Sequence, residues 1–297
     1  MGQLGLPVAK YVKERGFDTY GYDISPKAVE MAQKSAAIEK ASDFGEFDVF
    51  ILCVSTHKPD DMFSPQIDGL LSVVEKISKE AKSGVLVSIE STIPKGTSKK
   101  VYDTLNHGMH VVHAPHRWYS LDENEHGVNQ LRVIGGVYDC CLKAGMQFYG
   151  GVDSVSVNAQ SYSSPSSLKS LGIPMHPVTN IEIAELTKVV ENAHRYLQIA
   201  FAEDLYLYCQ ASNINFSELR DALNTKWNVN ILEPREGIGG HCLPKDTKMF
   251  LQSSNRSKSK ILTAAIDVDE DYKRFRAKLE KQIESATIER VGNPNSK

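Results

Sequence analysis

The sequence predicts an α/β protein in which a doubly wound parallel sheet is followed by an all-helical region built on one long helix. The first half alternates short aromatic or β-branched runs with amphipathic stretches. A Ser-rich segment interrupts that pattern near residue 160, and the longest helical periodicity in the chain, 180–211, comes soon after it. Strands separated by helices point to parallel pairing, and one sustained apolar stripe points to a helix with a buried face.

The elements are justified in order. MGQLGLPVAKY sets Gly2 and Gly5 ahead of a helix-like run that closes at Arg15 and Gly16. Residues 17–23 (FDTYGYD) read as a strand, 26–40 as a helix and 47–54 (FDVFILCV) as a strand. In the helix expected at 67–82, Ile67, Leu70, Leu71, Val74 and Ile77 recur at helical spacing. Further strands are expected at 84–89 (GVLVSI), 109–113 (MHVVH) and 131–137 (LRVIGGV). The stretch 158–170 (NAQSYSSPSSLKS) reads as a loop or hinge. Along 180–211, Leu186, Val189, Val190, Ala193, Leu197, Ala200 and Phe201 form one stripe. A helix at 215–224 has Asn215 or Ser217 as its N-cap, a Gly-rich loop around Cys242 follows, and from about 253 the chain is charged and helical before a polar tail, VGNPNSK.

Composition excludes several functions. With 34 Lys and Arg against 37 Asp and Glu, the formal charge is −3, and no basic stripe of the kind that grips nucleic acid is present. Five cysteines, odd in number and without ligand spacing, suit a reducing compartment rather than a disulfide framework or a metal site. The N-terminus lacks the order of a signal peptide, and no apolar run approaches the ~20 residues of a membrane helix. The expectation is a soluble, cytoplasmic protein.

Three stretches carry chemistry. Glycines spaced as Gly2 and Gly5 occur in the turn between the first strand and first helix of dinucleotide-binding folds, where the backbone approaches a pyrophosphate held at the helix N-terminus. Asp23, 18 residues beyond Gly5 at the end of the next strand, is placed to accept from ribose hydroxyls and to favour NAD over NADP. The full fingerprint needs one more glycine and a preceding strand, which would lie before Met1, so the sheet is expected to have a gap.

In IEIAELTKVVENAH, Glu185, Lys188 and Asn192 share one helix face. They are either a solvated face with an ordinary Glu–Lys pair, or a lysine and an asparagine aimed into a cleft, where they can steady an alkoxide and hold a water. In GIGGHCLPKD, Cys242 is either a small buried hydrophobe or a nucleophile. Reactivity is favoured by Gly237, Gly239 and Gly240, whose N–H groups can meet an anion, and by Lys245 and Asp246 close behind. A cation near a thiol favours the thiolate.

GIGGHCLPKD and EIAELTKVVEN resemble the cysteine loop and central helix of the UDP-glucose/GDP-mannose dehydrogenases, and GQLGLPVA, CVSTHKP, ESTIPKGTS, APHRWYS and LRVIGGV agree with that family in order. The -GGHC- form, with Arg117 two residues after Pro115, is most similar to the branch that oxidises UDP-N-acetylmannosamine. The resemblance spans roughly residues 1–275. It implies a Rossmann-type NAD-binding domain at 1–165 lacking its first strand, a central helical domain for dimerisation and catalysis at 166–255, and at 256–297 a linker leading toward a further domain for the nucleotide sugar.

The implied reaction takes the C6 alcohol of a UDP-hexose to the acid, reducing two NAD⁺. Cys242 would capture the C6 aldehyde, Lys188 would steady the oxyanion, and Asn192 and Asp246 would position or activate water. Thr92 would lie beside the reacting oxygen. Gly2, Gly5, Asp23, Ser55, Thr56, Ser91 and Thr92 would hold NAD, while Arg117, Lys188, Gly237, Gly239 and Gly240 would contact the sugar nucleotide. A homodimer through the long helix is also implied.

PHRWYS departs from the family by setting His116, and on an ungapped match Ser120, where glutamates are common. Either His116 is a substitute base titrating near neutrality, or the assignment of a base at this position fails. Two other readings share the helix or the turn: a single-step β-hydroxyacid dehydrogenase of the 6-phosphogluconate type, which needs no cysteine, and an NAD-binding dimeric fragment without a competent sugar site.

Overall fold

The computed structural model describes residues 1–58, 61, 64–119, 121–150, 169–253 and 259–292. Most of the Ser-rich stretch, the domain boundaries expected at 165 and 255, Ser120 and the last five residues of the tail lie outside these. Among the described residues no helix is long and apolar enough to cross a membrane. The chain divides into two compact units, Met1–Val189 and Val190–Lys297.

The first unit opens with α1 (Gly5–Glu14), β1 (Tyr20–Gly21), α2 (Pro26–Ala36) and β2 (Glu39–Lys40). It continues with β3 (Val49–Leu52), α3 (Asp68–Glu80), β4 (Leu86–Ile89), α4 (Thr97–Thr104) and β5 (His110–His113). Then come β6 (Arg132–Gly136), α5 (Asp139–Tyr149), β7 (Met175–Val178) and the start of α6 (Ile181–Ser212). The helix expected at 26–40 stops at Ala36, because Ala37 turns left-handed with φ 50° and releases the chain into β2. The patterning gave no expectation of α4, α5 or β7.

Strands β3 to β7 form one sheet in chain order, and β1 pairs with β2 in a separate two-stranded sheet. The pairs β3/β4, β4/β5 and β6/β7 are parallel. Within this largely parallel sheet the pair β5/β6 is antiparallel, through Val112↔Gly136 and His113↔Gly135. A parallel return needs a crossover, usually a helix. Among the described residues of 114–131 there is none, so the chain comes back in the opposite sense.

Successive residues along a strand point to opposite helix layers. Val87, Ile89 and Val111 pack with Leu70, Val74 and Ile77 of α3 and with Val101 of α4. Leu86, Val112 and Ile134 pack with Val8 and Val12 of α1 and with Met146 and Tyr149 of α5. Central β4 is buried along its whole length, as a strand covered on both faces must be.

Glu185 overturns the solvated-face reading at its position. It is fully buried, and its two oxygens accept from the N–H groups of Gly96 (2.6 Å) and Ser98 (2.7 Å). The side chain at the N-cap of α4 is a glycine with φ 83°, which has no group of its own to cap with. A carboxylate from α6 therefore satisfies two orphan donors and sets negative charge at the positive end of the α4 dipole.

The second unit contains the rest of α6, then α7 (Phe216–Asn224), α8 (Cys242–Gln252) and α9 (Lys260–Gly292). Asn215 caps α7, accepting from the Glu218 N–H at 3.2 Å. Tyr196 and Ala200 of α6, Ile238 of the segment before α8, and Ala265 of α9 make its core. The stripe read from the sequence is wider than the buried face: Val189, Ala193 and Ala200 are buried, whereas Val190 and Phe201 are 40 % and 57 % exposed.

Asp269 organises this unit. It accepts from the Tyr196 hydroxyl, the Ile238 N–H and the Lys273 ammonium, each at 2.8 Å, and so ties α6 and the 230–241 segment to α9. Tyr272 donates to Arg235 O at 2.7 Å and Lys273 to Ile238 O at 3.0 Å, holding the same segment. Glu203 is fully buried nearby, with no hydrogen-bond partner for either oxygen among the described residues. Burial and the Asp269 charge push its carboxyl up to about 8, while Lys273 opposes them.

Two stability measurements test this network. Asp269→Ala should lower unfolding free energy by about 2–4 kcal/mol in urea, and Asp269→Asn by less, because a carbonyl oxygen remains to accept. The folded chain keeps Glu203 protonated up to about pH 8, whereas the ordinary value is 4.5. The folded state thus binds more protons across that window, and stability should fall as pH rises through it. Glu203→Gln should flatten this slope; an unchanged slope would contradict the assignment.

Candidate active site

The predicted cofactor residues of the first unit gather at the carboxyl ends of the strands and the turn before α1. Gly2 is exposed, and a Cβ there would meet nothing within 4 Å. α1 starts at Gly5 with no side-chain cap and no acidic residue in its first turn, which leaves its positive dipole end without a fixed anion. Asp23 accepts from the Ser25 N–H at 2.8 Å and pairs with the Met1 ammonium.

After β3, exposed Ser55 lies 2.8 Å from His57 Nδ1, and buried Thr56 donates to Thr92 O at 2.7 Å. After β4, Ser91 donates to Val54 O at 2.7 Å and to Leu52 O at 3.1 Å. The loops carrying Thr56 and Thr92 are therefore cross-braced by hydroxyl-to-carbonyl bonds. Thr92 itself is half-buried.

His116 follows β5 and is buried. Burial is the largest influence on its imidazole and holds it below the usual histidine range, helped by the charges of Arg132 and Lys188 and opposed by Glu90. This corrects the expectation of a group titrating near neutrality: the desolvation that a sequence does not display outweighs the neighbouring carboxylate. Half-buried Arg117 donates to Leu131 O at 3.1 Å. Half-buried Lys188 is near enough for its charge to act on His116, so these two predicted residues belong to one electrostatic neighbourhood.

Sequence reasoning missed the centre of that neighbourhood. Glu90, directly after β4, is 1 % exposed. Its Oε2 is hydrogen-bonded to His116 Nε2, its Oε1 accepts from the Tyr149 hydroxyl, and Arg132 Nη1 lies 3.0 Å from Oε1. Burial alone would raise its carboxyl, but Arg132 and then His116 overcome that and hold it at about 2. Tyr149 is also paired with Ser88 Oγ at 2.6 Å, and Arg132 donates to Val128 O at 2.9 Å. The signal was present as charged residues inside apolar strand runs, GVLVSIE and LRVIGGV, positions that stay buried only when paired.

In the second unit Cys242 is exposed and is the first residue of α8, so the Gly-rich loop gives way to helix at the cysteine itself. A helix start is the end that favours negative charge. Its Sγ is 4.0 Å from His241 Nδ1. Gly237 and Gly240 have φ of 97° and 75°, in the left-handed region that favours glycine, and a Cβ at Gly237 would strike the Lys273 side chain at 2.5 Å. A Cβ at Gly239 or Gly240 would meet nothing within 4 Å, so the chain leaves open space just before the thiol.

Asp246, one turn after Cys242, is buried, accepts from the Asn192 side-chain amide, and has Lys245 Nζ 2.9 Å from its Oδ1. The fold thus joins Asn192 and Asp246, and Lys245 sits against that carboxylate. Two other groups, His110 with Cys140 and Cys141 and Asp122 with Glu125 and His126, bring ligand-type atoms within 4.8 Å of one another away from these positions.

The chain matches two sequence models of one family. The NAD binding domain of the UDP-glucose/GDP-mannose dehydrogenases matches residues 31–153, and their central domain matches 182–271. The first of these begins beyond Gly2, Gly5 and Asp23. A UDP-N-acetyl-D-mannosamine dehydrogenase of Methanococcus maripaludis is 29 % identical over 280 residues, 87 % of this chain and 61 % of that one. Its counterpart in Campylobacter jejuni is 28 % identical over 318 residues, covering 95 % and 73 %. The structure of the UDP-D-ManNAc dehydrogenase of Pyrococcus horikoshii superposes with a TM-score of 0.79 at 26 % identity, over 96 % of this chain and 71 % of the other. The chain spans about three fifths of the length of the Methanococcus relative. The two domain matches together take in more than two thirds of its residues, and the chain belongs to the UDP-glucose/GDP-mannose dehydrogenase family.

Proposed function

We propose that the protein oxidises the C6 alcohol of a UDP-hexose, of the UDP-N-acetylmannosamine or UDP-glucose type, to the uronate in two NAD-dependent steps with Cys242 as the covalent carrier. The observation that carries this reading is the exposed Cys242 at the start of α8, beside open glycine backbone and one turn from the Asn192–Asp246 pair. A four-electron oxidation without release of an aldehyde needs a covalent holder, and a thiolate is suited to it. The names of the relatives, all UDP-N-acetyl-D-mannosamine dehydrogenases among those described above, favour that sugar.

In this scheme His116 takes the proton of the C6 hydroxyl as the alcohol is oxidised. The Cys242 sulfur adds to the aldehyde carbon, giving a thiohemiacetal whose oxyanion Lys188 steadies. Oxidation of the thiohemiacetal gives a thioester, and water positioned by Asn192 and Asp246 cleaves it to the acid, freeing the thiol. Thr92 attends the reacting oxygen, and Arg117, Lys188, Gly237, Gly239 and Gly240 contact the sugar nucleotide.

NAD⁺, when bound, accepts both hydrides. The uncapped N-terminus of α1 and the open backbone at Gly2 fit a pyrophosphate, and Gly5, Asp23, Ser55, Thr56, Ser91 and Thr92 complete the proposed site. Exposed Val190, Phe201 and Tyr208 on α6 support pairing of two copies through that helix. The compartment that supplies NAD and nucleotide sugars, the cytoplasm, is the proposed location.

Counting NADH per sugar consumed tests the reading. Two per sugar are expected with UDP-N-acetylmannosamine or UDP-glucose; one would indicate a single-step dehydrogenase, and none across the panel would refute the activity. Cys242→Ser should abolish acid formation, and a variant forming uronate at the normal rate would remove Cys242 from its role.

A further inference from the structure

We infer that Glu90 is a positioning residue for His116: it accepts the imidazole Nε2–H and so leaves Nδ1 as the bare nitrogen that takes the substrate proton. The inference rests on the base role proposed above and adds which ring atom does the work and what fixes it.

The argument starts from the carboxylate. Glu90 is ionised, since Arg132 and His116 hold it at about 2. It therefore has no proton to give, and in the contact between Oε2 and Nε2 the ring must be the donor. A neutral imidazole carries one proton, so protonation at Nε2 leaves the lone pair on Nδ1. Glu90 cannot turn away, because its other oxygen is held by the Tyr149 hydroxyl and the Arg132 guanidinium, and Arg132 is itself anchored on Val128 O. These partners come from α5 and β6, two elements fixed in the core.

The charged and titratable groups around the pair are Arg132, Tyr149, Lys188, Cys53 and His113. Arg132 and Lys188 depress the imidazole, and Glu90 is the group that opposes them. Cys53 Sγ approaches Glu90 Oε2 at 4.0 Å, and its thiol is pushed up by burial. His113, buried on β5, is held down to about 3 by desolvation and stays neutral. Glu90 is thus the anion of the cluster and the reason a ring buried beside two cations keeps a fixed proton.

Glu90→Gln gives a definite outcome. The Gln carbonyl oxygen should take the side facing Arg132 and Tyr149, both donors, which turns its NH2 toward His116. The ring must then accept at Nε2 and move its proton to Nδ1, removing the base. Loss of the negative charge should also lower the imidazole pKa further.

The test is ¹⁵N NMR of the histidine-labelled full chain, with the His116 signals identified by their loss in His116→Gln. Neutral wild type should show a protonated Nε2 and a bare Nδ1, Glu90→Gln the reverse, and Glu90→Asp the wild-type pattern. In steady-state oxidation of the nucleotide sugar, Glu90→Gln should lose roughly 10²-fold or more in kcat/KM, the scale of general-base catalysis. Glu90→Asp should recover part of it.

A wild-type ring protonated on Nδ1, or a Glu90→Gln variant that keeps the wild-type tautomer or rate, overturns the inference. If Glu90→Gln does not fold, the wild-type and Glu90→Asp tautomers decide it. Because the tautomer is read with neither NAD nor sugar present, a wild type inactive on every nucleotide sugar would refute the proposed reaction separately from the proton's position.

Discussion

Burial of the Glu90 carboxylate is the constraint around which the first unit is arranged. A lone carboxylate inside an α/β core would cost several kcal/mol, so the surrounding elements must supply compensating charge and hydrogen bonds. Arg132 from β6 supplies the charge, Tyr149 from α5 a hydroxyl, and His116 from the segment after β5 a ring N–H. The antiparallel entry of β6 beside β5 brings Arg132 within 3.0 Å of a group at the end of β4. What looks like an irregularity in a parallel sheet is what makes the buried charge tolerable.

The same constraint explains what the sequence made legible. Apolar periodicity reports burial, so β3, β4, β5, α3 and α6 lie close to where patterning puts them. It fails for β1, reduced to Tyr20–Gly21, and it has no means of detecting that β6 runs against β5. The motif residues were legible because they are unusual in kind and spacing, Cys242 among glycines and Lys188 one turn before Asn192. Glu185 and Glu90 were misjudged or missed for a different reason. Each is defined by partners 89 or 87 residues away in one case and 26 and 59 in the other, and no local pattern encodes them.

Three buried glutamates show how partners, more than depth, set what a carboxyl does. All three are within 1 % of complete burial. Glu90 faces a guanidinium, a hydroxyl and an imidazole, and is held ionised at about 2. Glu185 receives two backbone N–H groups at the start of α4; these favour its charge while burial opposes it more strongly, and its carboxyl is raised. Among the described residues Glu203 has no hydrogen-bond donor; it faces the Asp269 charge, and its carboxyl rises to about 8. Desolvation pushes all three upward, and the neighbouring charges and donors answer it differently in each case.

That comparison also separates structural from chemical use. Glu185 has both oxygens engaged by backbone, which fixes a helix end and leaves nothing for a substrate. Glu203 is neutral over most of the physiological range and carries no partner to orient. Glu90 is held ionised and acts on a second titratable group, His116, which lies beside the predicted lysine on α6 in electrostatic terms. An ionised group that orients a neutral one is the arrangement acid–base catalysis requires, since the first sets the proton's position and the second can exchange it. A histidine where the family resemblance leads one to expect glutamate is therefore a coherent substitution only if a carboxylate stands behind it, and in this chain one does.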